Sequence, residues 1–301
     1  MKILVTGGTG LVGKVLVNEL QNRGHEVAIL TRSPKKNTKI PSFLWDIDKG
    51  YIDPKALAFA EGIVHLAGEG IADKRWTAEQ KKKIIDSRVE PLRLLGTHLA
   101  ANGIKPAVLV SASAIGYYGG ERGEEKLTEN SAPGTDFLAE CTVKWENAAS
   151  FLEASRTVHI RVGVVLSKEG GALPKLAAPV RWGFGAALGS GQQWMSWIHV
   201  QDLARLFVQA IEDQNMRGAY NGVAPLPIRN ADLTKKVAKQ LNRFVFLPPV
   251  PGFVLKAALG EMSVVVLGSA YVENQRINEE LSFKYAYSTV EEALKEIYEK
   301  S

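Results

Sequence analysis

The sequence predicts an α/β fold in which a parallel sheet is covered by helices on both faces. Short apolar runs alternate with amphipathic stretches through residues 1–166, as buried strands and their crossover helices do. A glycine-rich turn joins the first apolar run to the first amphipathic stretch. Glycine, proline and tryptophan then become dense between Gly170 and Trp197. We therefore expect a Rossmann-type, doubly wound sheet followed by a smaller, mostly helical C-terminal lobe.

Six apolar runs in the first half have the length of buried strands. Helix signals lie between them: the first helix ends near Gly24, and a long one begins at a Thr77-x-x-Gln80 capping box. We expect this long helix to be interrupted near Pro91, because proline lacks an N–H. The predicted strands are KILVTG, EVAILT, SFLWD, GIVHLAG, AVLVSASA and TVHIRVGVVL.

The second half returns briefly to the strand and helix pattern. SWIHV predicts a short strand, DLARLFVQAIED a helix with Asp202 as its N-cap, and GAYNGVA another strand. Short helices are expected from about Pro225 onward. The predicted nucleotide-binding domain comprises residues 1–166 with 198–224 returning to it, and the second lobe comprises 167–197 and 225–301.

The composition excludes several classes of function. The chain of 301 residues has a net charge of +5 and a pI of about 9.1, but no nucleic-acid-binding motif. A single cysteine, Cys141, excludes an internal disulfide and a site of several cysteines around a metal. No apolar run approaches the ~20 residues of a membrane span, and the N-terminus is typical of a strand rather than a signal peptide. We expect a cytoplasmic protein that acts on a small molecule, without a metal or a membrane partner.

The turn after the first strand has the spacing of a dinucleotide-binding loop. VTGGTGLVG places Gly7, Gly10 and Gly13 between a strand and a helix. The first glycine permits a tight turn, the second lets a pyrophosphate approach the backbone, and the third allows close packing of helix and strand. We expect this loop, including the neighbouring Thr9, Leu11 and Val12, to hold the pyrophosphate of a dinucleotide.

The end of the second strand selects the dinucleotide. An acidic residue there would bind the ribose 2′-hydroxyl of NAD, but LTRSPKK contains none. It offers Thr31 and Arg32, followed by Lys35 and Lys36. Because a guanidinium can pair with a 2′-phosphate, the sequence predicts NADP(H) as the cofactor.

TGGTGLVG, VHLAG, SASAIGYYG and WIHVQDLA occur in this order, and with them the chain resembles the extended short-chain dehydrogenase/reductases. GEGIADKRWT, SGQQWMSWIHVQDLA and GAYNGVAP resemble the signatures of an atypical branch, the epimerase family proteins or nucleoside-diphosphate-sugar epimerases. The segment from about Phe246 resembles the C-terminal domain of unknown function of that branch. The resemblance implies that Leu66, Ala67 and Gly68 line the adenosine side of the cofactor and that Val165 approaches the nicotinamide.

In the wider family a tyrosine acts as acid and base, and a lysine four residues later binds the nicotinamide ribose. By its place in the helix after the fifth strand, Lys144 resembles that lysine, which leaves Glu140 in the position of the tyrosine. Lys144 is therefore expected to contact the cofactor, with a surface ion pair to Glu140 as the alternative. Glu140 could replace the phenol only if burial raised its pKa well above its usual value of about 4.3.

The rest of the expected catalytic set is also altered. Ser113 or Ser111 could take the serine role of the family, and Tyr117 or Tyr118 could supply a displaced phenol or be packed aromatic residues. The position of the family's asparagine holds Arg88, which cannot act as a base but could bind an anion bidentately. We expect Arg88 to contact the cofactor, and a structural salt bridge is the alternative.

A substrate cleft is expected over the carboxyl edge of the sheet, lined by Arg75, Trp76, Trp194, Trp197 and His199. For His199 a structural hydrogen bond is the alternative. Two functions remain open. One is an NADP(H)-dependent oxidoreductase or epimerase-like enzyme for a small polar molecule such as a nucleotide-sugar. The other is a catalytically degenerate NADP(H)-binding sensor or scaffold protein.

Overall fold

The computed structural model describes residues 1–34 and 39–299. Strands and helices alternate through its first half, so the predicted pattern is confirmed there. In chain order the elements are β1 (Lys2–Thr6), α1 (Leu11–Asn22), β2 (Glu26–Thr31), β3 (Ser42–Asp46), β4 (Tyr51–Ile52), α2 (Pro54–Phe59), β5 (Gly62–His65), α3 (Ala78–Ala101), β6 (Val108–Ala114), β7 (Glu121–Leu127), α4 (Phe137–Ala148), β8 (Thr157–Val162), β9 (Val164–Leu166), α5 (Ala172–Arg181), β10 (Trp194–Met195), β11 (Trp197–His199), α6 (Val200–Glu212), β12 (Gly218–Gly222), β13 (Ile228–Arg229), α7 (Asn230–Gln240), α8 (Gly252–Leu259), α9 (Val264–Leu267), β14 (Ser269–Val272), α10 (Gln275–Glu280) and α11 (Val290–Glu299).

The main sheet has the doubly wound order that the sequence predicts. Across residues 1–34 and 39–299, its strands lie in the order β12, β8, β6, β5, β1, β2, β3, β4. Neighbouring strands are parallel except for β3 and β4, which form an antiparallel edge. The chain winds outward from β1 in both directions, so a crevice opens between β1 and β5 at their carboxyl ends. In open α/β sheets, ligands bind in such a crevice.

The predicted sixth strand is in fact two strands. It breaks at Gly163, after which β9 leaves the main sheet and pairs with β11. The backbone of Ser196 comes so close that a Cβ on Gly163 would lie 2.6 Å from its carbonyl oxygen. The glycine therefore permits the crossing that carries the chain from the sheet into the second half of the molecule.

Two predictions about α3 need correction. The helix is not interrupted at Pro91, which is buried inside it. A single lost hydrogen bond does not end a helix of 24 residues that is held by tertiary packing. At its start only half of the capping box forms: the Thr77 hydroxyl accepts from the Gln80 N–H at 3.1 Å, but the Thr77 N–H donates to the Arg75 carbonyl.

The N-cap of α6 is His199 rather than Asp202. Asp202 lies in the first turn of the helix and is fully buried. Its carboxylate accepts hydrogen bonds of 2.9 Å from the N–H groups of Ala286 and Tyr287 and from Arg205. The Asp202 carboxylate of α6 is therefore hydrogen-bonded by backbone N–H groups that lie just before α11.

Buried apolar side chains form two large clusters. The larger one is built mainly from β1, β2, β5, β6, β8 and their flanking helices α1, α3 and α6. The second contains apolar residues of α5, α7 and α11 together with Trp197. The two clusters largely follow the division of the chain drawn from the sequence, and that division stays a prediction. Within the described ranges, no helix has the length and apolar character that crossing a membrane would require.

Candidate functional site

The glycine loop between β1 and α1 has the geometry that a bound pyrophosphate needs. Gly7 adopts a left-handed conformation (φ +70°), and a Cβ there would lie within 2.9 Å of the Leu66 and Ala67 backbone. The Gly10 N–H donates to the Gly7 carbonyl at 3.0 Å, which closes the turn. A Cβ on Gly13 would lie 2.2 Å from the Gly7 carbonyl oxygen, so only glycine lets α1 pack this closely.

The start of α1 is open on the side where a ligand would approach. Gly10 is the N-cap, no side chain caps the helix, and its first turn carries no acidic residue. Among the described residues, and apart from its neighbours in the chain, the Gly7 carbonyl oxygen is the only atom within 4 Å of a Cβ built on Gly10, so the position has room for a ligand. Exposed N–H groups and the positive end of the helix dipole favour an anion there. These residues fit a dinucleotide pyrophosphate.

Thr6 holds the ends of β1 and β5 together beneath the loop. Its buried hydroxyl oxygen accepts hydrogen bonds from the N–H groups of Leu66 (3.2 Å) and Ala67 (3.3 Å). It also lies 2.8 Å from Nδ1 of His65, a fully buried side chain. Burial, together with the nearby Arg88 charge, lowers the pKa of His65 to about 3, so this imidazole is neutral at physiological pH.

Arg88 lies against the same strand end. It donates to the carbonyls of Ile84 (2.8 Å) and Glu69 (2.9 Å), and its guanidinium lies 5.0 Å from the centre of the Trp145 ring. A Cβ on Gly68 would lie 3.2 Å from this guanidinium. The Arg88 side chain is therefore held by two carbonyl groups and an aromatic ring. The structural salt bridge given above as the alternative to a cofactor contact is not among these contacts.

The end of β2 keeps its basic character. Arg32 is exposed, and the Thr31 hydroxyl accepts from the Ser33 N–H at 3.3 Å. Lys35 and Lys36 lie outside the described residues. Val165 lies in β9: its carbonyl is 3.1 Å from a Cβ built on Gly171, and Gly171 also approaches Leu11 of the phosphate loop. The loop before α5 therefore lies between the predicted pyrophosphate loop and the residue predicted to approach the nicotinamide.

A buried ionic cluster lies where β6 and β8 end. The Ser113 hydroxyl donates to Oε1 of Glu146 at 2.6 Å, and Arg161 donates to both oxygens of that carboxylate at 2.8 and 3.0 Å. Burial alone would raise the pKa of Glu146, but the bonds and charge of Arg161 and the bond from Ser113 lower it instead. The Glu146 carboxylate is therefore ionised at neutral pH and neutralised by Arg161.

Two tyrosines pack against Arg161. The Tyr118 hydroxyl donates to the Asn221 side chain at 2.7 Å, accepts from Arg161 at 3.0 Å and is fully buried. Burial raises the pKa of Tyr118 to about 12, so it is a structural phenol. Tyr117 is half-buried, and its ring lies 3.5 Å from the Arg161 guanidinium. Of the two phenols, Tyr117 is the one that a substrate could reach.

Lys144 and Glu140 do not lie beside Ser113. They form an exposed ion pair of 2.6 Å and line a surface groove between α3 and α4. Glu146, which does contact Ser113, is two positions beyond Lys144. Two positions correspond to a rotation of about 200° around the helix axis, so the two side chains leave the helix on nearly opposite sides. The prediction that Lys144 and Ser113 share a catalytic site is therefore wrong, and the alternative of a surface ion pair is the arrangement seen.

Ser111 is fully buried, and its hydroxyl donates to the carbonyl of Ala112 at 3.0 Å. It lies beside His65 in the sheet, below the edge where Ser113 ends β6. Of the two serines, Ser113 is the one that reaches the carboxyl edge.

The residues predicted to line one substrate cleft are not brought together. Trp197 and His199 are buried: the indole of Trp197 donates to the Leu226 carbonyl, and Nε2 of His199 lies 3.1 Å from Glu296 of α11. Their prediction as cleft residues is wrong because the C-terminal segment covers them, and His199 has the structural role given as its alternative. Trp76 is also buried, with its indole donating to the Ile71 carbonyl.

Arg75 and Trp194 are separate from each other as well. Arg75 is exposed and lies against the backbone of α8, donating to the Ala257 carbonyl at 3.4 Å. Trp194 donates to Glu124 at 2.9 Å and stacks under Arg229. Within the described residues, no group of three or more histidine, cysteine or carboxylate side chains could hold a metal ion.

A doubly wound sheet with an open glycine loop at its β1–β5 crevice defines a dinucleotide-binding protein of the extended short-chain dehydrogenase/reductase type. Residues 3–221 match the sequence profile of the NAD dependent epimerase/dehydratase family, and residues 250–297 match a domain of unknown function, DUF1731. The chain belongs to this epimerase/dehydratase family. The predicted family and fold class are confirmed.

Relatives support this assignment over the full length of the chain. The epimerase family protein SDR39U1 homolog of Arabidopsis thaliana chloroplasts is 39% identical over 99% of this chain and 86% of its own. The crystal structure of human epimerase family protein SDR39U1 with NADPH matches with a TM-score of 0.89 at 32% identity, covering 100% of both chains. UDP-glucose 4-epimerase of Thermotoga maritima with UDP-glucose shares the fold, with a TM-score of 0.77 at 18% identity over 99% of this chain and 98% of that one.

Sequence reasoning missed Glu146 and Arg161, although a signal for them existed. Arg161 is a charged residue inside an apolar strand sequence, TVHIRVGVVL, and a buried charge needs a partner. Glu146 lies on the helix that follows the neighbouring strand, within reach of that position. The paired charges organise the carboxyl edge between β6 and β8, where Tyr117 and Ser113 lie.

Proposed function

We propose that this protein binds NADP(H) across the β1–β5 crevice. The observation that carries the proposal is the combination of an open glycine loop with a β2 end that has the exposed Arg32 and no carboxylate. A carboxylate there would repel a 2′-phosphate, whereas a guanidinium binds it through charge-assisted hydrogen bonds. NADPH in the crystal structure of the human relative supports the same cofactor.

In this proposal, different residues hold different parts of the cofactor. Gly7, Gly10 and Gly13 give the pyrophosphate access to backbone N–H groups, and Arg32 selects the 2′-phosphate. The Leu66–Gly68 backbone lines the adenosine side, and Val165 lies towards the nicotinamide. When bound, the nicotinamide supplies hydride chemistry.

The substrate we propose is a small polar molecule such as a nucleotide-sugar. The family match and the UDP-glucose held by the Thermotoga maritima enzyme of the same fold support this class. Proton transfer would then fall to Tyr117, because it is the half-buried phenol that packs on Arg161, and Arg161 shares the Glu146 carboxylate with Ser113.

A second candidate function is NADP(H) binding without turnover. It is favoured by one observation: the positions of the family's tyrosine and lysine hold Glu140 and Lys144, which pair with each other on the surface. Such a protein would respond to the cofactor or present it to a partner, and the ionic cluster around Glu146 would then serve only to fix the sheet edge.

Cofactor choice is tested by measuring the dissociation constants of NADPH and NADH. We expect NADPH to bind about 10-fold to 100-fold more tightly, since hydrogen bonds to charged groups contribute about 1.5–3 kcal/mol. Arg32→Asp should remove this preference, while Lys55→Asp, a matched charge reversal on the exposed face of α2, should keep it. Tighter binding of NADH by the unmodified protein would refute the proposal.

Turnover is tested by following NADPH oxidation with sugar-nucleotide, keto-acid and quinone panels. If the protein is an enzyme that uses Tyr117, Tyr117→Phe should abolish oxidation without changing the dissociation constant of NADPH. Lys144→Met should leave the rate within about 2-fold, as a surface ion pair implies. Absence of oxidation in all panels, together with tight NADPH binding, would select the second function.

A further inference from the structure

Five large aromatic side chains are exposed together on the C-terminal half. Their exposed fractions are 81% for Trp182, 69% for Phe184, 86% for Phe244, 73% for Phe246 and 74% for Phe253. Single exposed apolar residues are ordinary, but a contiguous group of this size marks an interaction surface. We call these five residues the aromatic surface.

Hydrogen bonds place the two segments that carry four of these residues next to each other. The segments run side by side: Arg243 donates to the Arg181 carbonyl at one end, and the N–H of Val250 donates to the Ala187 carbonyl at the other. A parallel bridge between Leu188 and Val250 continues the pairing. Trp182 and Phe184 therefore lie opposite Phe244 and Phe246, between these two connections. Phe253 follows three residues after Val250, in the first turn of α8.

Helix α8 extends the aromatic surface with aliphatic side chains. Its sequence is GFVLKAAL, and none of its residues is buried. An amphipathic helix of a soluble domain normally buries its apolar stripe against the core. Here Phe253 and Val254 face outward, and Lys256 is the only charged residue of the helix. The helix therefore presents an apolar face that nothing in the described part of the chain covers.

The charged residues in the segments that carry the aromatic surface are all basic. Residues 170–193 and 239–260 contain no aspartate or glutamate. Arg181, Arg243 and Lys256 are exposed in these segments. The α11 carboxylates Glu291 and Glu299 reach Lys236 and Gln240 of α7 instead. An apolar surface whose own segments carry cations and no carboxylate is complementary to an anionic partner that also offers hydrocarbon.

We propose that the aromatic surface docks on the surface of an anionic lipid bilayer. Tryptophan, phenylalanine and small aliphatic groups enter the region between headgroups and acyl chains, while arginine and lysine pair with anionic headgroups. A second copy of the chain is disfavoured, because two such faces would bring like charges together. Single-stranded nucleic acid would use the rings and the cations but would leave the aliphatic residues of α8 without a partner.

Docking of this kind does not need a membrane span. It is compatible with the absence of a spanning helix among the described residues, because only side chains enter the bilayer. Helix α5 links the aromatic surface to the candidate cofactor site: it follows Gly171, which approaches Leu11, and it ends at Arg181, directly before Trp182. In a docked protein, the open end of the crevice between β1 and β5 would therefore lie near the bilayer.

The test uses the full chain with large unilamellar vesicles of equal parts phosphatidylglycerol and phosphatidylcholine, or of phosphatidylcholine alone. We expect sedimentation with the anionic vesicles, at least about 10-fold weaker binding to the neutral ones, and weakening by salt. Trp182 is the most exposed of the six tryptophans, because Trp45, Trp76, Trp145 and Trp197 are buried and Trp194 is half-buried. Vesicles should therefore protect it from acrylamide quenching, and this protection should disappear in Trp182→Phe.

Matched variants decide whether the aromatic surface is responsible. Phe244→Ser combined with Phe246→Ser should weaken vesicle binding at least 10-fold, as should Arg243→Glu combined with Lys256→Glu. Phe151→Ser alters an exposed phenylalanine outside the surface and should bind as the unmodified protein does. NADPH affinity and thermal unfolding should be unchanged in all of them, which shows that they fold.

Three results would overturn the proposal. The first is failure of the unmodified protein to sediment with anionic vesicles. The second is an equal loss of binding in Phe151→Ser. The third is lipid-free dimerisation, or binding to an oligothymidine strand, that the Phe244/Phe246 double variant abolishes while vesicle binding is unaffected.

Discussion

Replacing Arg161 with methionine should strongly destabilise the protein by leaving Glu146 without a counter-charge. Both side chains are buried, with exposed fractions of 5% and 13%, and Arg161 supplies two of the hydrogen bonds to the carboxylate. Breaking a buried pair by removing one partner costs about 3–5 kcal/mol, since the remaining charge stays desolvated. We expect a loss of that size in the free energy of unfolding at neutral pH, measured by urea denaturation.

The pH dependence of this loss separates charge from packing. Without Arg161, burial is the dominant effect on Glu146 and raises its pKa above the usual 4.5. A carboxyl group whose pKa is higher when folded loses stability as pH rises and regains it as pH falls towards the unfolded value. The deficit of Arg161→Met should therefore shrink below about pH 5, relative to the unmodified protein.

A double variant completes the test. Arg161→Met combined with Glu146→Leu removes both charges and should recover at least about 1 kcal/mol of the loss, because well-packed apolar groups can replace a buried ion pair. The reasoning would be refuted if Arg161→Met cost less than 1 kcal/mol, or if the double variant were no more stable than the single one.

Other predictions follow from single contacts. Gly13→Ala places a Cβ 2.2 Å from the Gly7 carbonyl oxygen, so NADPH affinity should fall at least about 10-fold in a titration. At Gly24 no atom lies within 4 Å of a built Cβ, so Gly24→Ala should cost only about 1 kcal/mol of stability, through the positive φ of that residue. The pKa of His65 is lowered from 6.5 to about 3 on folding, so protonation favours the unfolded chain as pH falls below 6.5. Lowering the pH from 7 to 5 should therefore reduce the free energy of unfolding by about 2 kcal/mol through His65. In urea denaturation, the same pH change should cost His65→Asn about 2 kcal/mol less than it costs the unmodified protein. Asp202→Asn should cost about 2–3 kcal/mol in the same assay, since a charged acceptor of two backbone N–H groups is lost.

The fold and the phosphate loop could be predicted from the sequence because their requirements are local. Strand and helix periods repeat over a few residues, and the glycines of the loop are needed by turns and approaches within the same segment. The positive φ of Gly7 and the close approach at Gly13 are the properties that the spacing of VTGGTGLVG predicts. The break at Gly163 was missed because its cause, the Ser196 backbone, lies 33 residues away in the sequence.

The candidate catalytic residues were harder to predict because their positions depend on which face of a helix meets the sheet. In α4 the buried positions include Ala139, Thr142, Trp145 and Ala148, so Lys144 lies off the buried face. Helical phase could therefore have argued against Lys144 as a partner of Ser113. No local signal showed that α11 would cover His199, since Glu296 is 97 residues away along the chain.

The buried Asp202 has a consequence for the order in which the chain folds. Helix α6 packs against α1 in the nucleotide-binding half, yet two of the N–H groups that satisfy its carboxylate belong to Ala286 and Tyr287. During synthesis, Asp202 emerges from the ribosome 84 and 85 residues before these two partners. Until then, the Asp202 carboxylate lacks these two N–H partners, and the N-terminal turn of α6 lacks the contacts that hold it in its final place. We therefore expect the contacts of α6 to be completed only when the last segment of the chain has been made, and a nascent or C-terminally shortened protein to keep this helix end open to chaperones and proteases.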